Sequence, residues 1–406
     1  MRILCVFGEH NYGNPERGLS YEYANFLPAL LRLGHETIFF ESWNKSSYDN
    51  FAELNKQFLI TVDKEQPEIV FCITMGCELW SESLILAQNY SNAMFIHWAT
   101  DDSWKYEQST RLMAPFFDLC TTTYTSAFNK AFKDGFEHFV LTQWAANSAV
   151  MFSPLPAAAC QYEVSFIGTA YGNRIKWVKE LETKGIKVSC FGHGWPHGSV
   201  SAEEIPQIIR KSKISLNFGD SGIVIKNFLP VRSRQIKARV FEVPGAGGFL
   251  MSEPADELEK FYSLDKEIII FNGIEELSTK IKYFLSHEEE RNLVANAGYE
   301  RTKNFHTYEH RFDLIFKCAA EQRRNRKSSR QKFNLESFFV LEEQHKLTLT
   351  LKLIRFIFLV PCVLLFGKHR GPRAARRILY ELSWRLFGVK TYSSKSWVGR
   401  MFYKES

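Results

Sequence analysis

Two adjacent carboxylates, Asp101 and Asp102, follow the apolar run 93–97 and Trp98. A carboxylate at the end of a buried strand can accept a proton or hold a hydroxyl. Neighbouring side chains on an extended stretch point in different directions, so at most one of the two serves. His97 is a third candidate base, because an imidazole titrates near neutral pH; a strand-end histidine equally serves as a satisfied structural group. A metal site of the Asp-x-Asp kind needs alternating carboxylates, and this pair is contiguous. A second group of residues lies further on. Glu242 follows Phe241 and precedes Gly245, Gly247 and Gly248. Lys237 and Arg239 stand just ahead of it, and Arg174 and Lys176 lie earlier in the same half. Cations there can hold an anionic group, or they are solvated charges at helix starts. Glycines let backbone approach backbone or a ligand closely. The loop 192–195, with Gly192, His193, Gly194 and Trp195, reads either as a pocket wall or as a plug for the domain.

These residues need elements to hold them. Residues 3–7 form a short apolar run ending at Gly8, the pattern of a buried strand. A loop with Gly13, Pro15 and Gly18 follows, and it lacks the Gly-x-Gly-x-x-Gly spacing of a dinucleotide site. Glu9, His10 and Arg17 on it are possible ligand contacts. The spacing of Tyr23, Phe26, Leu27, Leu30 and Leu31 predicts a helix closed by Gly34. Strands are expected at 36–41, 69–73 and 93–97. The alternation pauses over 145–159, then restarts with strands at 162–167, 187–191, 214–217, 248–252 and 267–271. Helices are expected at 177–181, 275–285 and 288–301. Strand–helix alternation with continuously apolar strands implies parallel, doubly wound sheets. In such sheets ligands bind at the carboxyl ends of the strands. The organisation expected is an α/β domain over 1–150, a second over 160–321 with a helix that crosses back, and a basic amphipathic tail over 322–406.

The stretch KARVFEVPGAGGFLMSEPADELEKFYSLDKEIIIFNGIEELSTKIKYFL, residues 237–285, and HEEERNLVANAGYERTKNFHTYEHR, residues 287–311, resemble the C-terminal domain of CgeB-like, spore-protein-type glycosyltransferases. These are relatives of the large retaining family 4 group. The resemblance spans roughly 1–320 and is looser in the first half, through residues 23–41, 120–152 and the Asp101–Asp102 loop. It implies the GT-B fold, two Rossmann-like domains facing a cleft, and transfer of a sugar from a nucleotide-sugar donor. It implies that Glu242 accepts hydrogen bonds from the donor ribose. Arg174, Lys237 and Arg239 would steady the departing diphosphate, and Gly192, Trp195, Gly247 and Gly248 would line the donor side. Transfer would then need no metal and no cofactor besides the donor. The family's pattern often places a glutamate where Arg234 stands, a departure that leaves the contact to the transferred sugar different or absent. His306, Tyr308 and Arg311 read as structural.

Composition sets the remaining bounds. The chain has 406 residues, 45% hydrophobic and 24% charged, enough for two cored domains. Residues 322–406 carry 19 Lys and Arg against 5 Asp and Glu, a net +14 within an overall +6. The eight cysteines include no Cys-x-x-Cys pair and several sit in strand-like runs, as buried free thiols do. The opening residues lack the apolar stretch and cleavage site of a signal peptide, so a cytoplasmic location is expected. In the tail, 356–366 is apolar but short of a bilayer span and contains Pro361. Lys368, Arg370, Arg373, Arg376 and Arg377 follow, and Trp384, Tyr392, Trp397, Phe402 and Tyr403 suit a membrane interface. Apolar surface beside clustered cations fits an anionic membrane surface bound through 347–390, at the inner face of the cell membrane, with a glycan or lipid-linked acceptor reached there. Packing on the body, or forming a dimer face, is the other reading of the tail. An inactive GT-B scaffold is the alternative function. Nucleic acid is not expected as a partner, since no binding module accompanies the basic stretch.

Overall fold

Strand β1 (Arg2–Phe7) is apolar and buried from Ile3 onward, as a strand covered on both faces must be. In the computed structural model it sits inside a six-stranded sheet. The model describes residues 1–406 except Cys77, 220–222, 227–228, 233, 325–333 and 403–406, and gives backbone only for 223–226, 229–232, 323–324 and 402. Tyr403, the Phe402 side chain, Cys77 and most of the basic linker therefore lie outside the described residues.

The other strands of this sheet are β2 (Glu36–Glu41), β3 (Ile69–Cys72), β4 (Met94–Trp98), β5 (Leu119–Thr122) and β6 (Phe139–Leu141). Their order is β2-β1-β3-β4-β5-β6, every pair parallel. The sequence reading did not anticipate β5 or β6. Each is three or four residues long, too short for a periodic signal. The second sheet contains β7 (Tyr162–Ile167), β8 (Val188–Phe191), β9 (Ser212–Asn217), β12 (Leu250–Ser252) and β13 (Ile269–Ile270), in the parallel order β13-β12-β9-β7-β8. Between β9 and β12 runs an antiparallel hairpin, β10 (Ile223–Lys226) and β11 (Leu229–Arg232).

Two compact units result. The first comprises residues 1–23, 34–141 and 317–406; the second comprises 24–33 and 142–316. These limits differ from the 1–150, 160–321 and 322–406 division for two reasons. The later turns of the helix Tyr21–Arg32 pack within the second unit: Phe26 meets Tyr308 and Phe312, and Arg32 bonds Ser148. Much of the C-terminal segment is core of the first unit.

That segment folds back on the first sheet's helices. Phe338 and Leu341 on helix Leu335–His345, with Leu379, Tyr392, Val398 and Met401, share one core with Leu54, Phe58 and Leu84. The His345 ring stacks on Trp80 at 3.8 Å. Ser394 donates to Glu82 through its N–H and its hydroxyl, and Ser81 donates to the Tyr392 carbonyl. Tyr392, expected at a membrane interface, is thus fully buried.

The long helix Leu349–Phe387 breaks at Gly367, whose φ of 77° and ψ of 171° are non-helical. Beyond the break the chain doubles back, and a Cβ on Gly371 would come within 2.4 Å of the Val363 Cα. Two helical arms pack at that point. The first arm leaves Leu349 84%, Leu364 80% and Leu365 77% exposed. By length and composition this helix is long and apolar enough to cross a membrane.

Candidate functional site

In the second unit the strand-end loops hold one another. Gly192, at φ 124°, lies where a Cβ would meet the Gly168 carbonyl at 2.4 Å, so only glycine fits. The Trp195 indole donates to that same carbonyl at 2.8 Å and sets its ring against Phe166. Of the two readings of Trp195, the packing one describes what its ring does here. Arg174 opens the helix after β7 and donates to the carbonyls of Thr169 at 3.0 Å and Phe218 at 3.2 Å. Its guanidinium lies 4.2 Å from the Tyr171 ring centre. It therefore ties the loop after β7 to the one after β9.

The helix Arg239–Gly245 precedes β12, so its first turn lies at the carboxyl end of the sheet. Arg239 Nη1 stands 2.8 Å from Glu242 Oε2 without lining up an N–H, a contact of charges rather than an aligned hydrogen bond. Much of the Arg239 charge is thus spent on Glu242. Lys237 lies half-buried one turn earlier. Gly247 and Gly248, expected against the donor, also have packing reasons to be glycine. A Cβ on Gly247 would meet the Phe152 carbonyl at 2.4 Å, and one on Gly248 would meet the Ile209 side chain at 2.5 Å. Glu253 was not singled out from sequence. It follows β12, is buried, and accepts the Gly219 N–H at 2.8 Å. Its signal was a carboxylate directly after an apolar strand, the same signal that marked Asp101 and Asp102.

In the first unit, burial separates the three proposed bases. His97 is buried, shares a 3.0 Å hydrogen bond with Thr74, and rests against Phe117. Burial lowers its pKa to about 4, so the ring is neutral near pH 7 and is held in place by Thr74 and Phe117. Asp102 is buried too and accepts the Thr110 hydroxyl at 2.5 Å. A π-helical turn, Tyr106–Thr110, brings Thr110 back to it. Burial raises Asp102 to about 6, against the hydrogen bonds from Thr110 and Thr122. Asp101 is the carboxylate that reaches solvent, and its Oδ2 lies 4.0 Å from Lys105 Nζ.

Glu22, in the first turn of the helix Tyr21–Arg32, was missed. It is buried, and burial raises its pKa to about 7, opposed by its own backbone N–H, reinforced by Asp101 and opposed by Lys105. A carboxyl group titrating near neutrality beside an exposed carboxylate can exchange a proton. Glu22 reads in sequence as an ordinary helix-start acid, which hid it.

The loops around these groups are firmly set. Glu41, closing β2, accepts the N–H groups of Glu9 at 2.8 Å, Trp43 at 2.7 Å and Asn44 at 2.8 Å. The Trp43 indole donates to the Ile73 carbonyl at 2.9 Å. Gly8 and Gly13 lie so close to Trp43 that neither position has room for a Cβ. The loops after β1, β2, β3 and β4 thereby border an open cavity of about 620 Å³, whose fifth wall is the second arm of the C-terminal helix.

Residues 174–317 match a family model described as glycosyl transferase-like. The second unit carries a glycosyltransferase domain. Among solved structures, a glycosyltransferase from Rickettsia africae matches with a TM-score of 0.54 at 13% identity, over 80% of this chain and 99% of that one. Sucrose-phosphate synthase from Thermosynechococcus elongatus matches with a TM-score of 0.53 at 10% identity, over 80% and 99%. Anabaena HepE in complex with UDP-glucose matches with a TM-score of 0.52 at 11% identity, over 80% and 100%. No curated protein matches the sequence. The chain has the GT-B glycosyltransferase fold, with two parallel-sheet Rossmann-like units and additional C-terminal helices. Arg174, Lys237, Glu242, Gly192 and Glu253 are thereby gathered at the carboxyl ends of the second sheet of a glycosyltransferase, and Glu22 and Asp101 at those of the first.

Proposed function

We propose that the chain transfers a sugar from a nucleoside-diphosphate sugar, bound at the carboxyl ends of the second sheet, to a hydroxyl of an acceptor bound by the first unit. The observation that carries this reading is the match of residues 174–317 to the glycosyl transferase-like family, which covers the strand ends that hold Arg174, Lys237 and Glu242. The residue resemblance narrows it to the CgeB-like group and implies retention at the transferred carbon. In the transfer, the bond from the sugar's anomeric carbon to the diphosphate oxygen breaks and that oxygen leaves with the electron pair. A bond to the acceptor oxygen forms, and the acceptor proton passes to Asp101 or Glu22. Arg174 and Lys237 are fixed cations near the leaving group, so neither metal nor further cofactor enters the scheme; one such donor is worth about 3 kcal/mol. Glu242 holds the ribose through the oxygen that Arg239 leaves open. Where the family carries a glutamate, Arg234 accepts the Asp256 N–H at its carbonyl at 2.8 Å.

The protein works at the cytoplasmic face of the cell membrane, held there by the exposed first arm of the C-terminal helix and by Lys368 and Arg370 at its turn. Exposed leucines beside cations support this. Incubation with a panel of nucleotide sugars, UDP-glucose first because HepE was captured with it, tests the chemistry. Release of nucleoside diphosphate that rises with added glycan acceptor is expected. Silence across the panel, with the fold intact, transfers the chain to the inactive-scaffold reading.

A further inference from the structure

The cavity in the first unit has a composition that hydroxyl recognition does not require. Its walls come from stretches far apart in sequence, and all but the loop after β3 bring positive charge. Arg17 comes from the loop after β1, Lys45 from the loop after β2, Lys105 from the segment after β4, and Arg373, Arg376 and Arg377 from the second arm of the C-terminal helix. One carboxylate, Glu78, faces these six cations. It is buried and committed, accepting the Met75 and Gly76 N–H groups at 2.5 and 2.9 Å, and burial raises its pKa. Some of the positive charge is answered nearby: Arg377 reaches Glu381 at 2.9 Å and Lys105 reaches Asp101 at 4.0 Å. Lys45 faces Glu78, and the cations lining about 620 Å³ of open space still outnumber the carboxylate there. Like charges so gathered repel one another, and an anion relieves the cost. The arm is not a chance neighbour, because Tyr380 donates to the Gln108 carbonyl and shares a 2.9 Å hydrogen bond with Tyr392.

We propose that this cavity takes a phosphate or diphosphate ester, gripped by Arg373 and Arg376 of the C-terminal helix together with Lys45 and Lys105. Guanidinium groups suit phosphate oxygens because their N–H groups form a planar fork. Trp104 and Tyr12 at the rim offer apolar faces to whatever the phosphate carries. The anion site stands on the cations alone; naming its ligand as the acceptor rests on the transferase reading. The phosphate can belong to a soluble sugar phosphate or to a lipid carrier, and the test separates them.

The full chain in nonionic detergent is titrated calorimetrically with inorganic pyrophosphate and, separately, with farnesyl diphosphate. Excess UDP is present to occupy the second unit. Both ligands are expected to bind the wild type, and Arg373→Gln/Arg376→Gln is expected to bind each about a hundredfold more weakly. Tighter farnesyl diphosphate places the ester on a lipid, and equal affinities place it on a soluble ligand. Lys105→Gln, about tenfold weaker, repeats the test without touching the helix. Unchanged affinity in variants that melt like the wild type overturns the proposal, as does a wild type that binds neither ligand. A wild type that binds pyrophosphate but responds to no nucleotide keeps the anion site and removes the transferase reading.

Discussion

The carboxyl ends of the two sheets spend their charges differently. In the second unit Arg174 spans two backbone carbonyls, Glu253 holds the Gly219 N–H, and Arg239 faces Glu242. In the first unit Glu41 and the Trp43 indole carry framework bonds, while six cations line the cavity. A charged residue at a strand end can thus be partly committed to the framework before any ligand arrives, and its partners show how far. The contrast also explains why glycines matter on both sides. Gly192 and Gly13 mark places where backbone meets backbone, and rigid loops follow.

The contrast yields predictions that run from large to small. Glu22 is on the contact side, so Glu22→Gln should lower kcat about a thousandfold without lowering the melting midpoint. A fall in stability with unchanged kcat would move Glu22 to the framework. Glu41 is on the scaffold side. Glu41→Ala leaves three N–H groups without their acceptor and should cost about 3 kcal/mol in urea unfolding. A cost under about 0.5 kcal/mol would dissolve the distinction. The buried carboxyl of Glu22 also sets a pH dependence. Its folded pKa of about 7 exceeds its ordinary 4.5, so the folded state holds the proton longer and stability falls as pH rises from about 4.5 to about 7. Asp102, raised to about 6, adds in the same direction. Urea midpoints across that window should show the fall, shallower in Glu22→Gln; an identical slope contradicts the assignment. The smallest effect concerns the exposed arm. Leu364→Ser/Leu365→Ser should weaken flotation with anionic vesicles by about 2 kcal/mol while sparing donor binding. Equal flotation of wild type and variant would confine the helix to its role in the fold.

Much of the fold was legible because its central strands are buried on both faces and its edge strands are still rich in β-formers. Residues 3–7, 36–41 and 162–167 read as continuous apolar or β-rich runs ending at glycines or turns, and the strands lie there. β5 and β6 escaped because three or four residues carry no period. The site was less legible, for one physical reason: type and spacing report where a group sits along the chain, whereas its function depends on what surrounds it. Asp101 and Asp102 are the same side chain and differ in burial and in partners. Glu22 owes its raised pKa to enclosure built from segments about 80 residues away in sequence. Residues 322–406 show the same effect. Their charge and apolar runs were plain, yet the split between buried Leu379 and Tyr392 and exposed Leu364 depends on the docking of one arm.

The central claim is a nucleotide-sugar site on the second unit. Thermal unfolding with a panel of nucleoside diphosphates and their sugars, on wild type, Glu242→Ala and Asp101→Asn, tests it most directly, because a ligand that binds only the native state raises the midpoint. One nucleotide should raise the midpoint of the wild type and of Asp101→Asn, and leave Glu242→Ala unmoved. A panel that shifts none of the three at millimolar ligand, or that shifts Glu242→Ala as much as the wild type, contradicts the account.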